Sequence, residues 1–387
     1  MVAYGNLYWF YAVGLLTLPA VVLGLSGRRI RGYGLVATLL VAGGLMVQHP
    51  SQLIWLVVFC AYQGLLVKGW LRYLTSHPGV HRYLPRAVAV AATLPLALVK
   101  VLGIFPSLSV GFLGVSYLSF KVIQLVLEIT DGLIKEPASG VGGGLSWLEL
   151  AYFVLFFPTL ASGPIDRSRR FQADADRTWT PTEYSHLLGR GLTLLLQGAV
   201  YKFVLAAWFA SQLSWASGWP RTLAYMYLYS GQLFFDFAGY SAMAVGLSYL
   251  YGVRTPPNFR MPFVAESIKD FWNRWHISLS FWFRDYLYTR MTMYLMRKKL
   301  FKERATAGRV AMVANMVLMG FWHGFTVHYV LYGLYHGVLL VANDVYEKKC
   351  PLYAYRARTW YRIAAILVTA QLVIVGFLIF SGHVIAI

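Results

Sequence analysis

Residues 362–381 read RIAAILVTAQLVIVGFLIFS, and the only charge in this run is Arg362 at its start. About 20 consecutive apolar residues are what an α-helix needs to cross the hydrocarbon core of a bilayer. The run is therefore typical of a membrane-spanning helix, and it predicts the eleventh crossing of this chain. The ten earlier apolar stretches lie near residues 7–25, 32–48, 51–68, 87–105, 108–128, 147–162, 187–209, 222–250, 310–326 and 328–345.

The overall composition agrees with a membrane protein. Of the 387 residues, 58% are hydrophobic and 13% are charged, whereas a soluble domain carries about 25% charged residues. A soluble fold needs a polar surface, and a bilayer removes that need. No polar linker is long enough to separate two cores, so we expect an all-α, polytopic membrane protein with one domain over residues 1–387.

The formal net charge of +19 is concentrated in clusters of Lys and Arg. Such clusters accumulate in cytoplasmic loops. Arg28, Arg29 and Arg31 follow the first apolar stretch, which predicts an extracellular N-terminus. If 87–105, 108–128 and 147–162 all cross, the arginines at 167–170 fall on the outer side. One of these stretches is therefore expected to be re-entrant or to lie flat, and the sequence leaves open which one.

Several common catalytic motifs are missing from the sequence. Cys60 and Cys350 form neither a disulfide framework nor a metal-ligand spacing, and we predict no metal site. There is no Walker A motif and no GxSxG nucleophile elbow. These absences favour a direct group transfer that needs one base and a donor that is already activated.

Residues 251–309 form a polar block, expected on the cytoplasmic side, between two long apolar regions. Within it, Glu266–Arg290 is predicted to be one amphipathic helix at about 100° per residue. Its aromatic residues fall on one arc. The helix is either interfacial, with its tryptophans at headgroup depth, or it lines a passage for a polar, flexible substrate. The polar arc contains Lys269, Asn273, His276, Ser280 and Arg284.

The segment that follows, YTRMTMYLMRKKLFKER (288–304), mixes methionines with basic residues. Methionine is an adaptable contact residue, and basic residues steer an acidic partner. The segment is either a docking surface for an acidic protein or a basic connector held to lipid. The docking interpretation involves Met291, Met293, Met296, Arg297 and Lys298.

Three histidines lie in the largely apolar stretch MGFWHGFTVHYVLYGLYHG (319–337). An ionisable group at membrane depth is costly and usually serves a pathway or a reaction. His323 is flanked by Gly320 and Gly324, which allow backbone or substrate to come close. A neutral imidazole is the natural base for a hydroxyl proton. His323 is thus either a catalytic base or a hydrogen-bonded core residue.

Three motif regions resemble the membrane-bound O-acyltransferase family. They are FFPTLASGPIDRSRRF (156–171), DFAGYSAMAVG (236–246) with IKDFWNRWHISLSFWFRDYLYTR (268–290), and GFWHGFTVHYVLYGLYHG (320–337). Polysaccharide-acetylating members typically have an acid after the GYS triplet, where this chain has Ala242. The resemblance is therefore greatest to the D-alanyl-transferring members.

This resemblance implies a ring of helices around a thin core with a funnel opening outward. It implies that His323 and His276 are the two family histidines. The donor is D-alanine held as a thioester on the phosphopantetheine arm of a small acidic carrier protein in the cytoplasm. The acceptor is a hydroxyl of teichoic acid, reached directly or through an intermediate. No covalently bound cofactor is expected. The expected partners are the other membrane proteins of the operon and membrane lipids. Nucleic acid is not an expected partner.

The resemblance also assigns roles to the residues above. Lys269, Asn273, Ser280 and Arg284 would meet the arm, and residues 288–304 would dock the carrier. His323 or His276 would act as base on the acceptor hydroxyl, and His276 or Asn273 would stabilise the oxyanion. Two alternatives remain: an O-acetyltransferase of an exported polysaccharide and a non-enzymatic transporter. The chain shows no internal repeat that would favour the transporter.

Overall fold

A computed structural model describes residues 4–5, 7–47, 49–77, 83–104, 111–134, 145–216 and 221–383. Throughout these ranges the regular structure is helical and no strand occurs. The α-helices are α1 Leu7–Leu25, α2 Arg31–Met46, α3 Pro50–Ser76, α4 Leu84–Leu102, α5 Val115–Thr130, α6 Trp147–Leu155, α7 Ser168–Asp176, α8 Pro181–Ala199, α9 Ala207–Leu213, α10 Thr222–Leu250, α11 Ile268–Trp272, α12 Ile277–Phe283, α13 Thr289–Arg297, α14 Arg304–His323, α15 Val327–Lys349 and α16 Thr359–Ser381. Two π-helices, Val200–Ala206 and Arg284–Tyr288, continue α8 and α12.

Within the described ranges, seven helical spans are long and apolar enough to cross a membrane, so the chain is an all-α polytopic membrane protein. The predicted number of eleven is not confirmed. Of the other four predicted stretches, 328–345 forms α15, which is long but less apolar. The remaining three form the shorter helices α2, α5 and α6. Residues 108–110, at the start of one predicted stretch, lie outside the described residues.

Backbone contacts divide the chain into two compact units. The first unit comprises residues 1–196 and 242–256, and the second comprises 197–241 and 257–387. The single-domain assignment stays a prediction. All of the predicted site residues belong to the second unit.

In the first unit, α6 explains the difficulty with the predicted crossings between residues 87 and 170. It has 9 residues, about 14 Å at 1.5 Å per residue, which is too short to cross. The buried Lys121 ammonium donates to the carbonyls of Phe153 at 3.1 Å and Val154 at 3.3 Å, and to the Thr159 hydroxyl at 3.2 Å. These bonds satisfy carbonyls at the end of the helix. Stretch 147–162 is therefore not a spanning helix.

Part of the basic character at residues 167–170 is neutralised within the same unit. Asp166 and Asp174 are each 2% exposed. Arg170 pairs with Asp166, and Arg254 donates from Nε to Asp174 at 3.0 Å. Buried carboxylates need such partners, so these arginines have a structural role in addition to any effect on orientation.

In the second unit, the predicted single helix Glu266–Arg290 is wrong. The chain forms α11, then a turn, then α12, because His276 adopts the left-handed conformation (φ 43°, ψ 51°). Asn258 stabilises this break: its carbonyl accepts from the Ile277 N–H at 2.9 Å, and its side-chain oxygen accepts from the Ser278 hydroxyl at 2.6 Å. These two hydrogen bonds to Asn258 take the place of the backbone hydrogen bonds that a continuous helix would make across His276.

Candidate active site

His323 is the last residue of α14, at the turn into α15. The two helices approach closely here, since a Cβ on Gly320 would lie 2.3 Å from the Tyr329 carbonyl oxygen. Only glycine permits this approach. The prediction that Gly320 allows close backbone contact is confirmed. The turn places the His323 ring among aromatic rings, including Phe380 at 4.9 Å between centroids.

His276 is buried, with 4% exposure, and its ring meets Phe237 edge-on at 4.7 Å. A left-handed non-glycine residue is uncommon and often marks a functional site. His276 lies outside the spanning helices. Burial lowers the pKa of His276 to about 3, and the nearby His323 imidazole acts in the same direction. His276 is therefore a neutral imidazole at neutral pH.

The His323 imidazole contributes to the lowered pKa of His276, so the two predicted histidines lie within electrostatic range of each other. They come from different elements, the turn between α11 and α12 and the end of α14. One imidazole can take a proton while the neutral second one donates a hydrogen bond. The pair can thus support general-base catalysis.

A cavity of about 430 Å³ lies beside α14, and we call it the amide-lined cavity. Its wall contains all four residues predicted to meet the donor arm: Lys269, Asn273, Ser280 and Arg284. His276, although on the same predicted arc, is not part of the wall. The interpretation that this segment lines a passage is therefore favoured over an interfacial helix. Most of its aromatic residues are also buried, whereas tryptophans at headgroup depth would be exposed. The remaining lining residues are Trp272, Phe281, Tyr288, Met312, Asn315, Met316, Met319, Leu340, Asn343, Asp344 and Glu347.

Two buried polar atoms in the wall have no hydrogen-bond partner among the described residues, Trp272 Nε1 and Asn315 Oδ1. Each side chain is 8% exposed. One atom is a donor and the other an acceptor. A buried polar atom without a partner costs about 1–3 kcal/mol. Both residues border the cavity, and a bound group that carries an amide or hydroxyl is one way in which these two atoms could gain the partners that they lack in the described residues.

The charges around the amide-lined cavity are largely compensated. Asp344 pairs with Arg309 at 2.8 Å and with Lys348 at 2.6 Å. Glu347 pairs with Lys269 at 3.9 Å and also accepts a hydrogen bond from the Asn343 amide at 2.8 Å. A cavity with compensated charges, three amide side chains and three methionines suits a neutral chain of alternating amide and methylene groups better than an ion.

A second cavity of about 510 Å³, which we call the methionine cavity, shares Tyr288, Met312 and Asp344 with the first. Met293 and Met296 of α13 line it and are 44% and 36% exposed. The structure thus brings two of the five predicted docking residues to a cavity. Met291, Arg297 and Lys298 do not line it, although Arg297 and Lys298 are exposed.

One face of α14 lines both cavities and continues along the helix toward His323. Lining residues recur three or four positions apart, which places them on one side of a helix. From Gly308 to His323 this face extends about 22 Å at 1.5 Å per residue. The face consists of Ala305, Gly308 and Met312 in the methionine cavity, then Asn315, Met316 and Met319 in the amide-lined cavity, with His323 one turn beyond Met319.

Sequence reasoning missed Asn258, Trp272 as a polar lining residue, and Asn315. Asn258 lies 18 positions before His276, and no periodicity connects them. Asn315 offered a weak signal, since it is a lone amide within the apolar stretch 310–326.

Comparison with known proteins agrees with these features. The profile of the family described as MBOAT, membrane-bound O-acyltransferase family, matches residues 52–384. A protein of Bacillus subtilis (strain 168) named teichoic acid D-alanyltransferase is 39% identical over 99% of this chain and 98% of its own length. A protein of the same name from Streptococcus thermophilus is 37% identical over 98% and 94%. A protein of Pseudomonas syringae pv. tomato named probable alginate O-acetylase is 32% identical over 70% of this chain and 49% of its own length.

Proposed function

The chain belongs to the membrane-bound O-acyltransferase family, and we propose that it transfers D-alanine across the membrane for the D-alanylation of teichoic acid. Support comes from relatives of that name that align over nearly the whole of both chains. The acetylase alternative has weaker support, because its relative aligns over 70% of this chain. Ala242, in place of an acid after the GYS triplet, favours the same choice.

The observation that carries the donor assignment is the face of α14 that runs through both cavities to His323. A phosphopantetheine arm is a long, flexible chain with two amides and a terminal thiol. The exposed Met293 and Met296 would contact the carrier protein. The arm would then lie along the lining face of α14, from the methionine cavity toward His323. Trp272 Nε1 and Asn315 Oδ1 would bond to groups of the arm, which brings the thioester to the histidines.

In the chemical step, His323 takes the proton of the acceptor hydroxyl. The hydroxyl oxygen attacks the thioester carbonyl carbon, the C–S bond breaks, and the arm leaves as a thiol that receives the proton. His276, held neutral by burial, donates a hydrogen bond to the oxyanion. A thioester is already activated, so no nucleophilic serine or cysteine is needed.

Orientation follows from the basic clusters. The clusters at residues 28–31 and 297–304 would face the cytoplasm, where anionic lipid attracts them. The methionine cavity would then open to the cytoplasmic carrier, and the N-terminus would lie outside.

Transfer in proteoliposomes tests the proposal. Carrier protein loaded with radiolabelled D-alanine is supplied on the cytoplasmic side, the partner membrane proteins of the operon are added, and label is followed into teichoic acid. Wild type should transfer label and His323→Ala should not. His328→Ala is the matched control, since His328 lies on the same hairpin and bonds to Thr326. Transfer by folded His323→Ala would overturn its role, and transfer only from an acetyl donor would favour the acetylase.

A further inference from the structure

An apolar trough of about 380 Å³ lies between α15 and α16; it shares Asn343 with the amide-lined cavity and no lining residue with the methionine cavity. Lining residues of α16 recur at helical spacing, so one face of the helix forms a wall. The α15 wall follows the same pattern. The lining residues of α16 are Trp360, Tyr361, Ala364, Ala365, Val368, Thr369 and Leu372, and those of α15 are Leu339, Ala342, Asn343 and Tyr346.

The middle of the trough is made by small side chains. Ala342, Ala364 and Ala365 leave the space that larger residues would fill. Val368 is 59% exposed in the trough wall. The trough is therefore open along a helix whose sequence is among the most apolar in the chain.

The length of the trough matches one leaflet. Residues 361 to 372 rise about 16 Å along α16 at 1.5 Å per residue. The hydrocarbon core of a bilayer is about 30 Å thick, so one leaflet contributes about 15 Å. A transmembrane helix of a partner would need about twice this length. A single acyl chain of a lipid fits it.

One end of the trough is polar and lies beside a basic segment. At this end Glu266 pairs with Arg362 at 2.7 Å, so its carboxylate is compensated. Lys349, Arg356 and Arg358 have no carboxylate partner in the part of the chain that the structure describes. Trp360 lines the same end and is 56% exposed, as expected of a residue at the headgroup level.

From this geometry we infer that the trough is a binding site for an anionic phospholipid, with one acyl chain between α15 and α16 and the phosphate at Arg356 and Arg358. A phosphate supplies an anion for these two cations, which have no carboxylate partner in the described residues although Arg356 also donates to the Tyr353 carbonyl. Anionic lipids concentrate in the cytoplasmic leaflet, which basic loops face. A zwitterionic lipid would fill the trough equally well but would gain less at the basic end.

Lipid binding by the purified, delipidated full-length protein tests this site without any measurement of transfer. Native mass spectrometry and thermal unfolding are followed with phosphatidylglycerol, with phosphatidylcholine of the same acyl chains, and with inorganic phosphate. We expect phosphatidylglycerol to bind at least tenfold more tightly than phosphatidylcholine and phosphate alone to have no effect. Equal binding of the two lipids, or an equal effect of free phosphate, would overturn the proposal.

Two sets of variants separate chain binding from headgroup binding. Ala364→Phe fills the trough and should lower phosphatidylglycerol affinity at least tenfold, and Val368→Phe serves if the first variant folds poorly. Leu367→Phe is the matched control, because Leu367 is 60% exposed and does not line the trough. Arg356→Gln with Arg358→Gln should reduce phosphatidylglycerol binding to the level of phosphatidylcholine. If Ala364→Phe binds lipid as tightly as wild type, the proposal is wrong. If the lipid-free wild type is a dimer and Ala364→Phe is a monomer, the proposal is also wrong, and a second copy of the chain occupies the trough instead.

Discussion

Asn258 accepts a hydrogen bond from the hydroxyl of Ser278 at 2.6 Å, and the two residues lie on either side of the left-handed His276 in the sequence. Asn258 does not contact the reacting groups in the proposed mechanism. It fixes the turn that directs the His276 ring, and it is 1% exposed. Asn258 is therefore a positioning residue.

Asn258→Ala should lower kcat for D-alanyl transfer by about 10²-fold, the size of effect expected when a catalytic group is displaced by about 1 Å. The KM for the loaded carrier should change little, because Asn258 lines neither the methionine cavity nor the amide-lined cavity. Asn258→Asp keeps the accepting oxygen and should retain most of the activity. A purely structural role would instead lower the amount of folded protein in both variants and leave kcat per folded molecule unchanged.

His276→Ala should lower kcat by about 10²–10³-fold, as the loss of one oxyanion donor does. His276→Gln can still donate a hydrogen bond and should retain more activity than His276→Ala. Because burial lowers the pKa of His276 to about 3, its titration should not be visible in the pH profile of kcat between pH 5 and 8. A profile in which an inflection in this range disappears in His276→Gln would contradict the neutral donor role.

Met293→Asp should weaken carrier binding at least tenfold, because it places a charge in the methionine cavity opposite an acidic partner. Met291→Asp is the control, since Met291 does not line that cavity, and we expect a smaller loss. Both affinities can be measured by titration of immobilised enzyme with the carrier. Equal losses would mean that net charge along α13 matters and the cavity does not.

Asn315→Leu should raise the KM for the loaded carrier several-fold and change kcat less, because the variant removes an acceptor for the arm and keeps a similar volume. Steady-state kinetics with carrier of varied concentration measure this split. Asn315→Leu also removes a buried oxygen, Oδ1, that has no hydrogen-bond partner among the described residues. The variant should therefore be as stable as wild type or more stable. A lower melting temperature with unchanged KM would show that Asn315 only supports packing.

Gly320→Ala should destabilise the protein by about 1–3 kcal/mol, the typical cost of overpacking, because the new Cβ would lie 2.3 Å from the Tyr329 carbonyl oxygen. Activity per folded molecule should also fall, since His323 is one turn away. Gly69→Ala is the control: its Cβ would have no neighbour within 4 Å. Thermal unfolding in detergent compares the two, and equal melting temperatures would refute the close approach.

The sequence predicted which polar residues lie together better than it predicted the helix that carries them. Lys269, Asn273, Ser280 and Arg284 were grouped by a period of about 100°, and they do line one cavity. The continuous helix was wrong, because periodicity carries no information on the bonds from Asn258 that interrupt it. The polar grouping persists because α11 and α12 both turn their polar side chains to the same cavity.

The count of crossings shows a second limit. Hydropathy measures how apolar a stretch is and does not detect where a helix ends. Residues 147–162 are apolar enough to be taken for a span, yet α6 ends at Leu155, where Lys121 binds its carbonyls. That lysine lies 32 residues before Phe153, the first of the two residues whose carbonyls it binds. No local sequence pattern relates His276 to His323. Only the family resemblance implied that both histidines belong to the site.

The bonds from Lys121 to the end of α6 also constrain how the protein is made. A nine-residue helix cannot reside in lipid alone, because its open carbonyls would have no partner there. Its partner, on α5, leaves the ribosome first. Lys121 is therefore already synthesised when α6 emerges, and membrane insertion of α6 is expected to depend on α5. In a variant that lacks Lys121, we expect α6 to remain at the membrane surface, where water can bind its open carbonyls.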